Sequence, residues 1–282
     1  MKAILVLATG GEEDERRFAY ADKIAQLFNA DIDVILANAL PPPSAISALP
    51  MSAAMPQPVV DPAERDAAIR AGDEIQQKIH ERFKGWSRTV NCLRVDEFAS
   101  GLGKVAAATA RTYDTCICTL PGRERDLELS GTILDAVLVG AGHCAIGIPA
   151  SLDGGFPIRN ITIAWNSSRE SARSVVEAMP LLKQAESVTV LLVDQLRRAG
   201  TEKRPGDDVL QYLTRHGAKA KIARVAKEEL KTSEAILAEA KRQNADLLVI
   251  GAQAEGGILQ WLRGSVSRDL LAKTSLPLLM AH

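Results

Sequence analysis

The sequence has few aromatic residues and little unbalanced charge: phenylalanine, tryptophan and tyrosine make up 4% of its 282 residues, and 34 lysines and arginines stand against 35 aspartates and glutamates. A formal net charge of −1 leaves no sequence-wide basic field to hold a nucleic-acid backbone or an anionic membrane surface, so neither is expected as a partner. No apolar run approaches the length that spans a bilayer. The opening MKAILVLATGGEEDERR turns acidic without the small-residue cleavage site of a secretory signal. The four cysteines, Cys92, Cys116, Cys118 and Cys144, include no C-x-x-C pair; Cys116 and Cys118 alternate within an apolar run, where buried thiols are unreactive. A reduced, cytoplasmic protein is the expectation. Equally absent are G-x-x-x-x-G-K-[ST], H-E-x-x-H and G-x-S-x-G, the motifs of phosphate loops, zinc peptidases and hydrolase elbows. His80, His143, His216 and His282 are scattered without metal-ligand spacing, and His80 and His216 fall on or near polar helix ends where solvent exposure is ordinary. No metal site and no catalytic residue is predicted.

What is abundant is apolar side chain, 46% of the chain, enough at this length for two domains. Short apolar strands alternate with amphipathic helices. In the first half they read as strand 3–8, helix 12–29, strand 32–37, helix 61–84, strand 90–95, helix 103–112, strand 115–120, helix 133–139 and strand 145–149. Prolines from Pro41 to Pro58 exclude that stretch from a sheet interior and mark a loop. Asp61-Pro62-Ala63-Glu64 starts the following helix with a side-chain acceptor, a proline at the first helical position and a reciprocal acid.

The pattern restarts near Ile158, with strands at 161–165, 188–193, 219–225, 246–251 and 276–280 and helices at 169–183, 207–215, 233–243 and 265–273. Ala3-Ile4-Leu5-Val6-Leu7 aligns with Asn160-Ile161-Thr162-Ile163-Ala164, and Gly131-Thr132 with Gly264-Ser265; the offset shrinks by about the length of the proline-rich stretch. Residues 1–150 and 158–282 therefore read as two repeats joined by a linker at 151–157, where Gly154, Gly155 and Pro157 interrupt periodicity. The expected fold class is α/β, two Rossmann-like domains, each a mainly parallel sheet with right-handed crossovers. The final strand of each repeat is apolar and, if it lies at a sheet edge, needs to be covered.

The segment with most chemistry is Gly251-Ala252-Gln253-Ala254-Glu255-Gly256-Gly257, followed by Gly264-Ser265-Val266-Ser267. It leaves a buried strand through small residues and re-enters at a helix start, where free amides, the positive helix end and the Ser265 hydroxyl suit a phosphate. The same glycines equally serve a tight turn and a helix cap. In Ile163-Ala164-Trp165-Asn166-Ser167-Ser168, which ends a strand before the next helix, Asn166 can cap that helix and Trp165 can pack.

These two segments resemble the universal stress protein family. Gly251, Gly264 and Ser265 match its signature of Gly, two residues, Gly, nine residues, Gly and Ser or Thr, with Ala254 where the second glycine is expected. Ile163 to Glu170 resembles its first strand and acidic turn, with Asn166 where nucleotide-binding members carry an aspartate. The resemblance implies strand order 3-2-1-4-5 in five-stranded sheets, with the last strand at an edge, and pairing of such domains through that strand. The two terminal strands are therefore expected to meet antiparallel or cross closely within the chain, burying Ile146, Ile148, Leu278 and Met280. The resemblance also implies ATP or another adenine nucleotide in the second domain only, magnesium only with the nucleotide, and contacts from Ala164, Trp165, Asn166, Val193, Gly251, Gln253, Ala254, Gly264, Ser265, Val266 and Ser267. In the first repeat the aligned positions read Thr9, Cys118, Pro121, Gly131 and Thr132, which makes residues 1–150 a degenerate copy; Arg123-Glu124-Arg125-Asp126 reads there as a solvated charged loop. The implied role is nucleotide-linked stress response or signalling with an unidentified protein partner, in an intramolecular pseudo-dimer that leaves a further homodimer open. A nucleotide-free interaction scaffold and a slow nucleotide hydrolase are the competing readings. For the latter no positioned base or metal carboxylates are seen, Asp194 alone being insufficient.

Overall fold

A computed structural model describes residues 1–43, 60–86, 90–121, 126–152, 157–194, 204–252 and 265–282, without the side chains of 126–128 and 265. The first half comprises β1 (Ala3–Ala8), α1 (Glu13–Phe28), β2 (Asp31–Leu40), α2 (Pro62–Phe83), β3 (Asn91–Phe98), α3 (Ala99–Ala110), β4 (Thr115–Thr119), α4 (Asp126–Gly140) and β5 (Cys144–Ile148). The second comprises β6 (Asn160–Ala164), α5 (Arg169–Gln184), β7 (Ser187–Val193), α6 (Asp207–Arg215), β8 (Ala220–Val225), α7 (Thr232–Arg242), β9 (Leu247–Gly251), α8 (Ser265–Lys273) and β10 (Leu278–Ala281).

All ten strands join one sheet in the order β3-β2-β1-β4-β5-β10-β9-β6-β7-β8, so each half has the order 3-2-1-4-5 and the halves meet at their last strands. Every pairing is parallel except β5 with β10, which is antiparallel with Leu278 opposite Gly147, Leu279 opposite Ile146 and Met280 opposite Ala145. The expected internal pairing of terminal strands is thus realised, and Ile146, Ile148, Leu278 and Met280 are all buried. Gly147 is required at this seam: a β-carbon there would run into Leu120 and stand 3.2 Å from the Met280 methyl.

Helices cover both faces, as an almost wholly parallel sheet demands. Phe18 and Ile24 of α1, Ile79 and Phe83 of α2, Val175 and Leu182 of α5 and Leu213 of α6 pack on one face. Leu102 and Ala106 of α3, Ile133 and Val137 of α4, Ile236 of α7 and Leu270 of α8 pack on the other. The start of α2 is built as its sequence predicts, with Asp61 Oδ1 accepting the Ala63 N–H at 2.8 Å.

Several boundaries differ from the sequence reading. Helix α3 begins at Ala99 rather than near Gly103, and α4 at Asp126 rather than near Ile133. Glycine reads as a helix breaker, yet Gly103 lies inside α3 because the Ala136 methyl stands 2.9 Å from where its β-carbon would be, and Gly131 lies inside α4 against Pro121. Close approach between helices outweighs the roughly 1 kcal/mol that glycine costs in a helix. Strand β2 runs on to Leu40 because β3 pairs with it as far as Phe98. Of the proline-rich stretch only Pro41 to Pro43 are described, and most of the linker and of the Arg123 loop lies outside the described residues. Among the described residues no helix is long and apolar enough to cross a membrane.

Candidate functional site

In the second half, a cavity of about 320 Å³ opens where strands β6, β7 and β9 end and helices α5, α7 and α8 begin. That volume falls in the range of about 300–1,000 Å³ that small-molecule sites occupy. The carboxyl ends of parallel strands collect helix N-termini, whose free amides and dipoles favour negative charge and polar ligand groups.

The β6 side is built by a short chain of polar contacts. The Trp165 N–H continues the ladder to the Leu191 carbonyl at 2.9 Å. The Asn166 Oδ1 accepts the Ser168 N–H at 3.0 Å, Ser167 adopts a left-handed backbone with φ of 62°, and Ser168 Oγ accepts the Ser171 N–H at 3.1 Å. Ser168 is therefore the cap of α5, and Asn166 closes the turn before it. The turn engages one lone pair of its carbonyl oxygen, so Asn166 still has the two amide protons of Nδ2 and a second lone pair to offer a ligand.

Gly251 ends β9 against that same helix start. A β-carbon there would lie 2.6 Å from the Ser171 nitrogen and 2.8 Å from the Glu170 carbonyl carbon, both backbone atoms. Beside it, Ser174 Oγ donates to the Ile250 carbonyl at 2.7 Å and accepts the Ala281 N–H at 3.2 Å, pinning α5 to β9 and β10. The glycine is thus explained by the packing of α5 on β9, independently of any phosphate. The Glu170 carboxyl, in the first turn of α5, is held below the ordinary glutamate range chiefly by its own backbone N–H.

The opposite wall belongs to α7 and α8. Ser233 Oγ donates to Asp269 Oδ2 at 3.2 Å, and Lys273 Nζ meets Glu234 Oε1 at 3.0 Å, tying the two helices together. Thr232, Val266 and Ser267 line the cavity from the first turns of these helices, with Ile236 and Leu270 one turn deeper.

Of the residues singled out in the sequence, Ala164, Trp165, Asn166, Val193, Gly251, Val266 and Ser267 line this cavity. Gln253, Ala254 and Gly264 lie outside the described residues, as does the side chain of Ser265, whose backbone opens α8. Ser168, Leu191, Thr232, Ile236, Ile250 and Leu270 also line it and were not anticipated. Part of the signal was present: Leu191 shares a strand face with Val193, and Leu270 lies one turn beyond Val266. Nothing in the sequence marked Thr232 and Ile236. Asp194 is not among the lining residues; it turns to Lys227, accepting its N–H at 3.1 Å with the ammonium at 3.5 Å. The described lining residues include no charged side chain, and no group of three or more His, Cys, Asp or Glu gathers elsewhere among the described residues.

At the matching places in the first half the protein supplies its own groups. Asp14 accepts the N–H groups of Thr9 at 3.1 Å and Gly10 at 2.9 Å and pairs with the buried Arg17, so the loop after β1 is occupied by the protein's own carboxylate. Helices α3 and α4 pack through small residues, since a β-carbon on Gly103 would stand 2.9 Å from the Ala136 methyl and one on Gly140 3.0 Å from the Ala107 methyl, whereas α7 and α8 both line the cavity.

Residues 157–282 match the model of the universal stress protein family. Over the full chain, the fold is similar to that of a universal stress protein from Archaeoglobus fulgidus, with a TM-score of 0.72, 12% identity, and coverage of 99% of this chain and 95% of that one. It is also similar to a functionally unknown protein from Pseudomonas aeruginosa, with a TM-score of 0.56, 15% identity, and coverage of 100% and 92%. No curated protein matches the sequence.

Proposed function

We propose that the second half of this chain, whose residues 157–282 match the universal stress protein family model, binds ATP or another adenine nucleotide, with occupancy altering how the protein engages a partner in a stress response. The observation that carries this reading is the cavity itself. Its apolar wall of Ala164, Leu191, Val193 and Ile250 suits a purine base and its ribose, and the hydroxyl and amide groups of Asn166, Ser168, Thr232 and Ser267 ring it. The α8 N-terminus, opened by Ser265, offers amides to a phosphate. Magnesium would enter with the phosphates, since none of the described lining residues is a carboxylate.

We read the site as binding rather than catalytic, because none of the described lining residues can act as a general base. The nucleotide-free scaffold remains a second reading, favoured by Ala254 in the signature and by the engaged carbonyl of Asn166. Mass spectrometry of small molecules released from protein purified without added nucleotide, followed by calorimetric titration, separates them. Adenine nucleotide bound at one equivalent per chain supports the first reading. Two equivalent sites would refute confinement to the second half, and neither release nor titratable binding would leave the scaffold.

A further inference from the structure

On the other face of the sheet a groove of about 250 Å³ lies between α5 and α6. Its walls are aliphatic, from Ala172, Val175, Val176 and Val209, with Trp165 and Tyr212 as aromatic surfaces and Asp208 as the one charged lining residue. Asp208 and Tyr212 stand one turn apart on α6 and so share a helix face. The Tyr212 ring is held from behind by His216, with centroids 4.5 Å apart and planes inclined at 50°.

The two acids at the start of α6 are differently employed. Asp207 meets Arg224 at 3.3 Å and accepts the Arg204 N–H at 3.0 Å. Asp208 accepts the Val209 N–H at 2.8 Å and has no cationic partner among the described residues. The groove therefore combines one carboxylate without a cationic partner among the described residues, two aromatic residues whose ring faces carry negative potential, and otherwise aliphatic walls. An anionic ligand would meet the same sign from all three groups. A cation with a hydrocarbon body meets attraction from each and buries its apolar part on the valines.

We propose that this groove binds a small organic cation, an alkyl- or arylammonium, with its head between Asp208 and the rings of Trp165 and Tyr212 and its hydrocarbon on Val175, Val176 and Val209. The proposal does not require nucleotide to be bound, although Trp165 lines both the groove and the nucleotide cavity. Choline and its neutral isostere 3,3-dimethylbutan-1-ol are the probes, followed by chemical-shift titration of the full chain. Choline should give saturable shifts at the α5–α6 groove, and the neutral isostere should bind about three- to tenfold more weakly, the range set by cation–π and carboxylate attraction. Asp208→Asn should weaken choline by a similar factor and leave the isostere unchanged. Val176→Lys, at a position 49% exposed and so tolerant of substitution, should abolish choline binding by placing a like charge in the groove. If Asp208→Asn fails to fold, Val176→Lys decides alone. Absence of saturable shifts, equal affinity for the two probes, or unchanged choline affinity in Val176→Lys would each overturn the proposal.

Discussion

Asp135 is the severest test of how the interior of the first half is built. It lies on α4 with 4% of its surface exposed, its Oδ1 has no hydrogen-bond partner among the described residues, and burial pushes its pKa up to about 7. An acid raised in this way withdraws stability as it ionises. Below the ordinary aspartate value of 3.8 the folded and unfolded chains both hold the proton, and the titration contributes nothing. Between 3.8 and about 7 the unfolded chain is ionised while the folded chain stays protonated, so stability falls as pH rises; above about 7 the loss is complete. A rise of about three units, at about 1.36 kcal/mol each, sets a ceiling of about 4 kcal/mol. Structural relaxation and an effective interior dielectric well above that of dry protein bring the expected loss to about 1–3 kcal/mol.

The perturbation is Asp135→Leu, which removes the titration without leaving an unpaired polar group, with Asp135→Asn as a companion that removes the charge and keeps the shape. Urea unfolding followed by circular dichroism at a series of pH values gives the stability difference between variant and wild type, in which other titrating groups largely cancel. The advantage of Asp135→Leu should grow by that amount between about pH 4 and about pH 8. Asp135→Asn should show the same pH trend from a lower starting point, because its amide is buried without a partner. A flat difference would show that the carboxyl titrates like an exposed aspartate. A difference that shrinks with pH would show that ionised Asp135 gains a cationic partner, and either result refutes the reasoning.

Gly251→Ala should destabilise the fold by about 1–3 kcal/mol, because its β-carbon meets the backbone of α5 at 2.6 Å; an unchanged melting temperature would show that α5 moves aside freely. Gly147→Val should lower the melting temperature and raise protease sensitivity at the seam between halves, since the new side chain runs into Leu120; unaltered cleavage would show that β5 and β10 are not held by that packing. Ala254→Gly restores the glycine of the signature and should tighten nucleotide binding in calorimetry if alanine hinders phosphate approach, with a separate stability cost of about 0.4–1 kcal/mol; flat or weaker affinity would show alanine to be compatible.

The sequence by itself determined the repeat, the strand and helix alternation, and the pairing of the two terminal strands, because apolar period, proline placement and an edge strand's need for a partner are local or self-complementary signals. It also marked one side of the cavity, since Ala164 to Asn166 and Val266 to Ser267 sit at strand ends and helix starts that small and polar residues announce. Tertiary structure decided the rest. How closely a pair of helices packs is decided in the tertiary structure: α3 and α4 meet where a β-carbon on Gly103 or Gly140 would crowd Ala136 or Ala107, while α7 and α8 both line the cavity. Thr232 and Ile236 reach the cavity from a helix distant in sequence, so no local pattern reveals them. Gly251 was legible as a needed glycine but not for its reason, which is the backbone of α5 standing where a β-carbon would be.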